Sequence, residues 1–253
     1  MRWIGFRTLV FRECAVIAHF WSVTLAPPII TTVLYFTILG GVLAERIGTV
    51  NGINYPQYLA PGLVLMWVIP YSYGHTAGAV LGARFFKYIE ELLVSPLPSW
   101  VVVMGYVIGG VLRGCIVGMG AALITFLFIH PPVHSISMSI GVLLMAALIS
   151  SLGGFITATF AKSFDQVSMI QASILTPLTY LGGVFNSVAT LPNWAKKLSL
   201  ANPIFYMVNA FRYSFLGVSD VPAGMALSAM IVSSIILFLA ALKIMTQGWG
   251  IRD

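Results

Sequence analysis

Charged residues are so sparse along this chain that the uncharged runs between them outline its elements. Six runs, at positions 14–44, 47–83, 92–112, 114–161, 166–195 and 221–242, each reach the roughly 20 residues a helix needs to cross a bilayer. The 114–161 run is about twice that length, and His130-Pro131-Pro132-Val133-His134 breaks it. Paired prolines remove backbone donors and disfavour helix in the residue before them. The first half of that run completes a helix beginning near Ser99. The pattern predicts helices at about 23–44, 57–83, 99–129, 136–161, 167–188 and 223–246. The expected fold class is all-α, a polytopic membrane protein with six transmembrane helices and one domain over 1–253.

Three shorter patterns fall outside the spans. Over 3–21, Trp3, Phe6, Val10, Cys14, Ile17 and Trp21 recur at helical steps while Arg7 and Arg12 lie largely off that line. That is the signature of a helix lying in the membrane interface, either a simple anchor or a brace for the inner end of the bundle. Over 84–98, Arg84, Lys87, Glu90 and Glu91 alternate with Phe85, Ile89, Leu92 and Leu93, and Pro96 and Pro98 end the helix and hand over to the third span. Charge so concentrated in a nearly uncharged chain suits docking to a soluble partner; the plainer reading is a solvated loop helix with pairs such as Lys87 with Glu90. Over 183–222, the pieces Leu191–Leu198 and Asn202–Tyr213 are each too short to span. They are expected to dip into the outer leaflet as a re-entrant pair, with Pro at the helix starts and Trp194, Tyr206 and Tyr213 at headgroup level.

Composition agrees with a membrane protein: 59% of the residues are hydrophobic and 8% charged, and the mean hydropathy is +0.96. With the amino terminus inside, Arg2, Arg7, Arg12, Arg84, Lys87, Lys162, Lys243 and Arg252 lie on the cytoplasmic side, against Arg46, Lys196, Lys197 and Arg212 outside. That bias places both termini in the cytoplasm, and it makes the net charge of +6 a topology signal rather than a mark of nucleic-acid binding. Arg7, Arg12 and Glu13 interrupt the start, so no cleavable signal peptide is expected and the first helix stays as an anchor. Two cysteines, Cys14 and Cys115, support neither a disulfide framework nor a thiol metal site.

The chemistry-bearing motifs point away from an enzyme. There is no Gly-x-x-x-x-Gly-Lys-Ser/Thr loop to cradle a nucleotide, no His-Glu-x-x-His, no Gly-x-Ser-x-Gly and no acidic residue inside any span. The lack of an intramembrane carboxylate counts against the alternative of an ion-coupled secondary transporter or channel; a non-transporting scaffold is the third class. His130 and His134 flank two prolines and read as an outer turn rather than a metal pair. Arg113, near the middle of the third span, is the one costly intramembrane charge, about 2.5–3.5 kcal/mol on insertion scales. It is expected to make an interhelical or dimer-interface hydrogen bond, or to contact an anionic substrate. Gly105, Gly109, Gly110, Gly114, Gly118 and Gly120 allow close helix approach. Pro27-Pro28, Pro61, Pro70 and Pro177 mark possible bends, and Tyr35, Phe36, Trp67, Tyr71, Tyr73, Tyr180 and Phe185 are candidates to line a pathway.

Three spaced motifs carry a resemblance: Ile89–Pro98 (IEELLVSPLP), Leu175–Phe185 (LTPLTYLGGVF), and Asn202-Pro203-Ile204 with Phe211-Arg212-Tyr213. Together they resemble the membrane subunit of an ABC-2 type ABC transporter, most nearly permeases of the YadH type, over nearly the whole chain. The resemblance implies a six-helix exporter permease with an amphipathic connecting helix, a coupling helix after the second span and an outer re-entrant pair. It further implies a second copy of the chain, two copies of a cytoplasmic ATPase that bind the ATP and Mg, and an inner-membrane location. The chain itself is expected to hold no cofactor and no metal. Drugs, lipids and glycans are the substrate classes such a resemblance brings with it. Arg84, Lys87, Glu90, Glu91, Pro96, Pro98, Arg7 and Arg12 become candidate ATPase-coupling residues, and Tyr35, Trp67, Tyr71, Tyr73, Arg113, Tyr180 and Phe185 the candidate substrate pathway.

Overall fold

The computed structural model describes residues 2–43, 48–50, 52–89, 97–185, 187–188 and 191–248. Helix α1 (Arg2–His19) is separated from α2 (Trp21–Tyr35) by a break at Phe20, and α2 runs on into π-helical turns over Phe36–Leu43. A two-residue hairpin, β1 (Thr49–Val50) and β2 (Ile53–Asn54), turns through Gly52 at φ +78° and leads into α3 (Tyr55–Phe85). Helices α4 (Ser99–Ile129) and α5 (Ile136–Phe160) follow; the prolines after His130 end the first, and the Ser135 side chain caps the second by accepting from the Met138 amide. Next come α6 (Phe164–Ile170), π-helical Gln171–Leu175 and α7 (Thr176–Leu181) as one continuous rod. Pro177 has no amide hydrogen to donate, and just before it Thr176 Oγ1 donates to the Gln171 carbonyl at 3.1 Å, satisfying an acceptor in the widened turn. Short helices α8 (Asn193–Ala201) and α9 (Pro203–Leu216) precede α10 (Ala223–Gln247).

Helices thus occupy all six expected apolar runs. Four of them, Trp21–Gly41, α4, α5 and α10, are both long and apolar enough to cross a membrane. The other two differ from those four for visible reasons. Helix α3 has 31 residues, about 46 Å at 1.5 Å per residue, but Tyr, Pro, Gly, His and Gln dilute its hydropathy. The α6–α7 rod stops at Leu181, short of the expected 188, because Gly182 and Gly183 turn the chain there, Gly183 at φ +83°.

Helix α3 forms the middle of the bundle, with Tyr58, Leu59, Leu63, Leu65 and Ile69 fully buried. Small residues set its approach to α4 and α5. A methyl group at Gly110 would strike Thr76 and Ser151, one at Gly114 would strike Ser72, and one at Gly154 of α5 would strike the Tyr73 carbonyl. The glycines of the third apolar run therefore act in packing within one chain. Helix α1 lies along the first half of α4, with Leu9 on Gly105 and Glu13 on Gly109, while α2 follows the second half, with Phe36 stacked on Phe128. The face α1 turns to the bundle is centred on Leu9, Glu13 and Ile17, whereas Trp3 and Trp21 of the expected stripe point outward.

Candidate functional site: a charged groove between the first and third helices

Glu13 is the seed of the site. Its side chain is only 4% exposed, yet it is a carboxylate. Oε1 accepts from Arg12 at 2.7 Å and Oε2 lies 2.9 Å from His75 Nε2 on α3. The other ring nitrogen of His75, Nδ1, is 3.3 Å from the Arg113 guanidinium, which also donates to Thr24 Oγ1 of α2 at 3.0 Å. A guanidinium only donates, so His75 accepts at Nδ1 and carries its proton on Nε2, facing Glu13. The chain Arg12–Glu13–His75–Arg113–Thr24 therefore runs unbroken from α1 through α3 and α4 to α2. Burial alone would push the Glu13 carboxyl up, but the hydrogen bonds from His75 and Arg12, with the charge of Arg12, hold it below the ordinary glutamate value. Two rings support the cations: Arg12 lies 5.2 Å from the centre of Tyr106, and Arg113 lies 5.8 Å from that of Tyr71.

Arg12, Glu13, His75 and Arg113 line a groove of about 470 Å³. Its floor is the glycine face of α3 at Gly74, Gly78 and Gly82, and Val16 and Phe20 of α1 add an apolar wall. A methyl group at Gly78 or Gly82 would meet nothing within 4 Å, so the floor is open space. Arg113, predicted to bond between helices or to meet a substrate, does bond between helices, and it also borders this groove. The sequence reading found no buried carboxylate; the structure supplies one in Glu13, because α1 presses that residue onto Gly109 rather than holding it in solvent. His75 was missed as well. Its signal was faint, a lone histidine in an apolar run, and its partner lies 62 residues earlier.

The other pathway candidates divide into two groups and one exception. Trp67 donates its indole N–H to Thr32 Oγ1 at 3.0 Å and meets the Tyr71 ring edge-on, one and two helical turns from His75 on the same face of α3. Tyr35, Tyr180 and Phe185 form an aromatic cluster, with Phe185 5.9 Å from Tyr35 and 5.6 Å from Tyr180. Tyr73 is the exception: it is buried against Gly153 and Gly154 of α5.

Of the candidate coupling residues, Glu90, Glu91 and Pro96 lie outside the described residues. Arg84, expected to offer its charge to a partner, donates to the Ala158 and Ala161 carbonyls at 2.7 and 2.8 Å and so caps the end of α5. Lys87 sits exposed at φ +60° in the turn after α3, Pro98 immediately precedes α4, and Arg7 is exposed on α1. Beside them Phe85, Phe86 and Tyr88 form an exposed ring cluster that reaches Phe164.

A second buried arginine stands apart from the groove. Arg212 on α9, counted in the sequence with the charges outside, is 1% exposed. It donates to the Gly183 carbonyl, stacks 4.0 Å over Tyr58 and lies 3.7 Å from Asp220, whose carboxylate also accepts from Ser187 and from the Val188 amide. Burial draws this guanidinium below its usual range, with Tyr58 and Asp220 opposing.

The chain is 40% identical over 251 residues to the inner membrane transport permease YadH of Escherichia coli K12, covering 99% of this chain and 98% of that protein. It is 22% identical over 215 residues to nodulation protein J of Rhizobium meliloti, covering 85% and 80%, and 22% identical over 186 residues to nodulation protein J of Rhizobium leguminosarum bv. viciae, covering 73% and 72%. The family model for ABC-2 type transporters matches residues 5–216, from α1 through α9, so the groove and Arg212 fall inside it while Asp220 lies just beyond. On a match of that extent, and on the end-to-end identity to a transport permease, the chain belongs to the ABC-2 type transporter family and is a membrane subunit of an ABC transporter.

Proposed function

We propose that this chain is the permease of an ATP-driven exporter, with six spans, both termini in the cytoplasm of an inner-membrane protein, and two copies paired with two copies of a separate ATPase. The observation that carries the reading is the end-to-end match to a transport permease in a sequence with no phosphate-binding loop of its own. Energy then enters by contact. The exposed rings of Phe85, Phe86 and Tyr88, at the inner end of α3, suit such a contact, since apolar patches of this kind on a protein end mark interaction sites. Arg84, locked onto the end of α5, would pass movement at that contact into the bundle. The substrate is a hydrophobic or amphipathic molecule, of the drug, lipid or glycan classes, moved outward between the two copies.

The test is affinity purification from native membranes followed by mass measurement. A complex of two permeases with two Walker-motif ATPases supports the reading; a monomeric chain with no such partner overturns it. Orientation is tested separately by cysteine labelling in a background lacking Cys14 and Cys115. Asn193→Cys and Lys197→Cys, both on the exposed side of α8, are expected to react with an impermeant thiol reagent from outside. Labelling only from the inner face would invert the topology.

A further inference from the structure

We infer that the groove between α1 and α3 binds the anionic group of an amphiphile, with Arg113 as its main countercharge and Arg12 beside it. The inference gives the exporter proposed above a substrate class, and it rests on that reading only for the step from ligand to substrate. The charge count comes first. Among the described residues Glu13 is the single acid lining the groove, and both of its oxygens are taken, one by Arg12 and one by His75. Arg113 has no carboxylate within ion-pair distance among the described residues; its contacts are a neutral histidine nitrogen, a threonine hydroxyl and a tyrosine ring.

A guanidinium near the middle of a membrane-spanning helix without an anion is costly. Arg212 shows what this fold does elsewhere, where Asp220 stands beside the cation. At Arg113 no described residue supplies the matching anion and open space adjoins it, so Arg12, Arg113 and Glu13, the charged side chains that line the groove among the described residues, leave one positive charge in excess. Planar guanidinium donors suit phosphate or carboxylate oxygens. The rest of the groove is apolar, with Val16, Phe20 and Ala79 along it, which fits a hydrocarbon tail and not a free ion. Floor glycines leave room for that tail.

Binding of radiolabelled dodecyl phosphate to the purified full-length chain in neutral maltoside detergent, corrected for empty micelles, tests this directly. Saturable binding is expected, with inorganic phosphate and dodecyltrimethylammonium failing to compete. Arg113→Gln is expected to weaken binding by about tenfold or more, the loss of one charge-assisted contact, and Arg113→Lys to recover part of it. Gly78→Leu fills the floor without touching any charge and is expected to weaken binding as much, while Gly141→Leu, on an open face of α5 remote from the groove, binds as wild type. Wild-type affinity in Gly78→Leu overturns the site even if Arg113→Gln does not fold. Equal competition by dodecyltrimethylammonium overturns the charge selectivity, and strong binding of inorganic phosphate overturns the amphiphile. No ATPase is present in this assay, so its failure leaves ATP-driven export standing.

Discussion

Two arginines of this bundle, one buried and one half-buried, are treated oppositely. Arg212 is sealed: a carbonyl, a ring and a carboxylate surround it, and the same carboxylate ties down Ser187 and Val188 in the chain between α7 and α8. Arg113 is left half open at the edge of a groove, held by neutral groups only. The first arrangement fixes the segment between α7 and α10 against α3. The second keeps a cation ready for something that is not part of the chain. Burial of a charge is thus not by itself a mark of function; what separates the two sites is whether the protein supplies the counterion.

Removing the sealed arginine is expected to have the largest effect. Arg212→Met strands Asp220 in the interior, and breaking a buried pair of this kind costs about 3–5 kcal/mol, to be read as a fall in thermal unfolding temperature of the detergent-solubilised chain. Gly154→Val follows. Its side chain would meet the Tyr73 carbonyl, which cannot swing away, and overpacking of this sort costs about 1–3 kcal/mol. Arg113→Gln is expected to change stability by only about 1 kcal/mol, the net worth of its hydrogen bonds, while abolishing amphiphile-stimulated ATP hydrolysis by the complex. Equal losses of stability at Arg113 and Arg212 would erase the contrast between them.

The smallest effect is a pH dependence. Glu13 titrates below its ordinary value of 4.5 when folded, so its stabilising contribution is complete above that pH and is lost as pH falls through the lowered value. Thermal unfolding scans from pH 6 downward are expected to show a shallower decline in Glu13→Gln than in wild type.

Much of the fold was legible because charge is so rare in it. Gaps between charges located the long apolar helices, and the proline pair after His130 fixed the end of α4 and the start of α5 to the residue or nearly so. The short hairpin at Thr49–Asn54 and the π-helical turn before Pro177 were not legible, since neither leaves a periodic trace. At the site, Arg113 stood out from its cost alone. Glu13 did not, because a stripe drawn through apolar residues skips an acid lying on the buried line between Leu9 and Ile17. Arg212 entered only the count of charges outside, since its partner Asp220 lies beyond the end of α9 and only the tertiary fold joins them.

The central claim is that this chain forms the pathway and a separate ATPase drives it. Mg-ATP hydrolysis in proteoliposomes holding the permease alone, its copurified ATPase alone, or both, tests that claim most directly. Hydrolysis that rises with dodecyl phosphate only when both are present is the expected result. Hydrolysis by the permease alone, or an ATPase whose rate is indifferent to the permease, would contradict it.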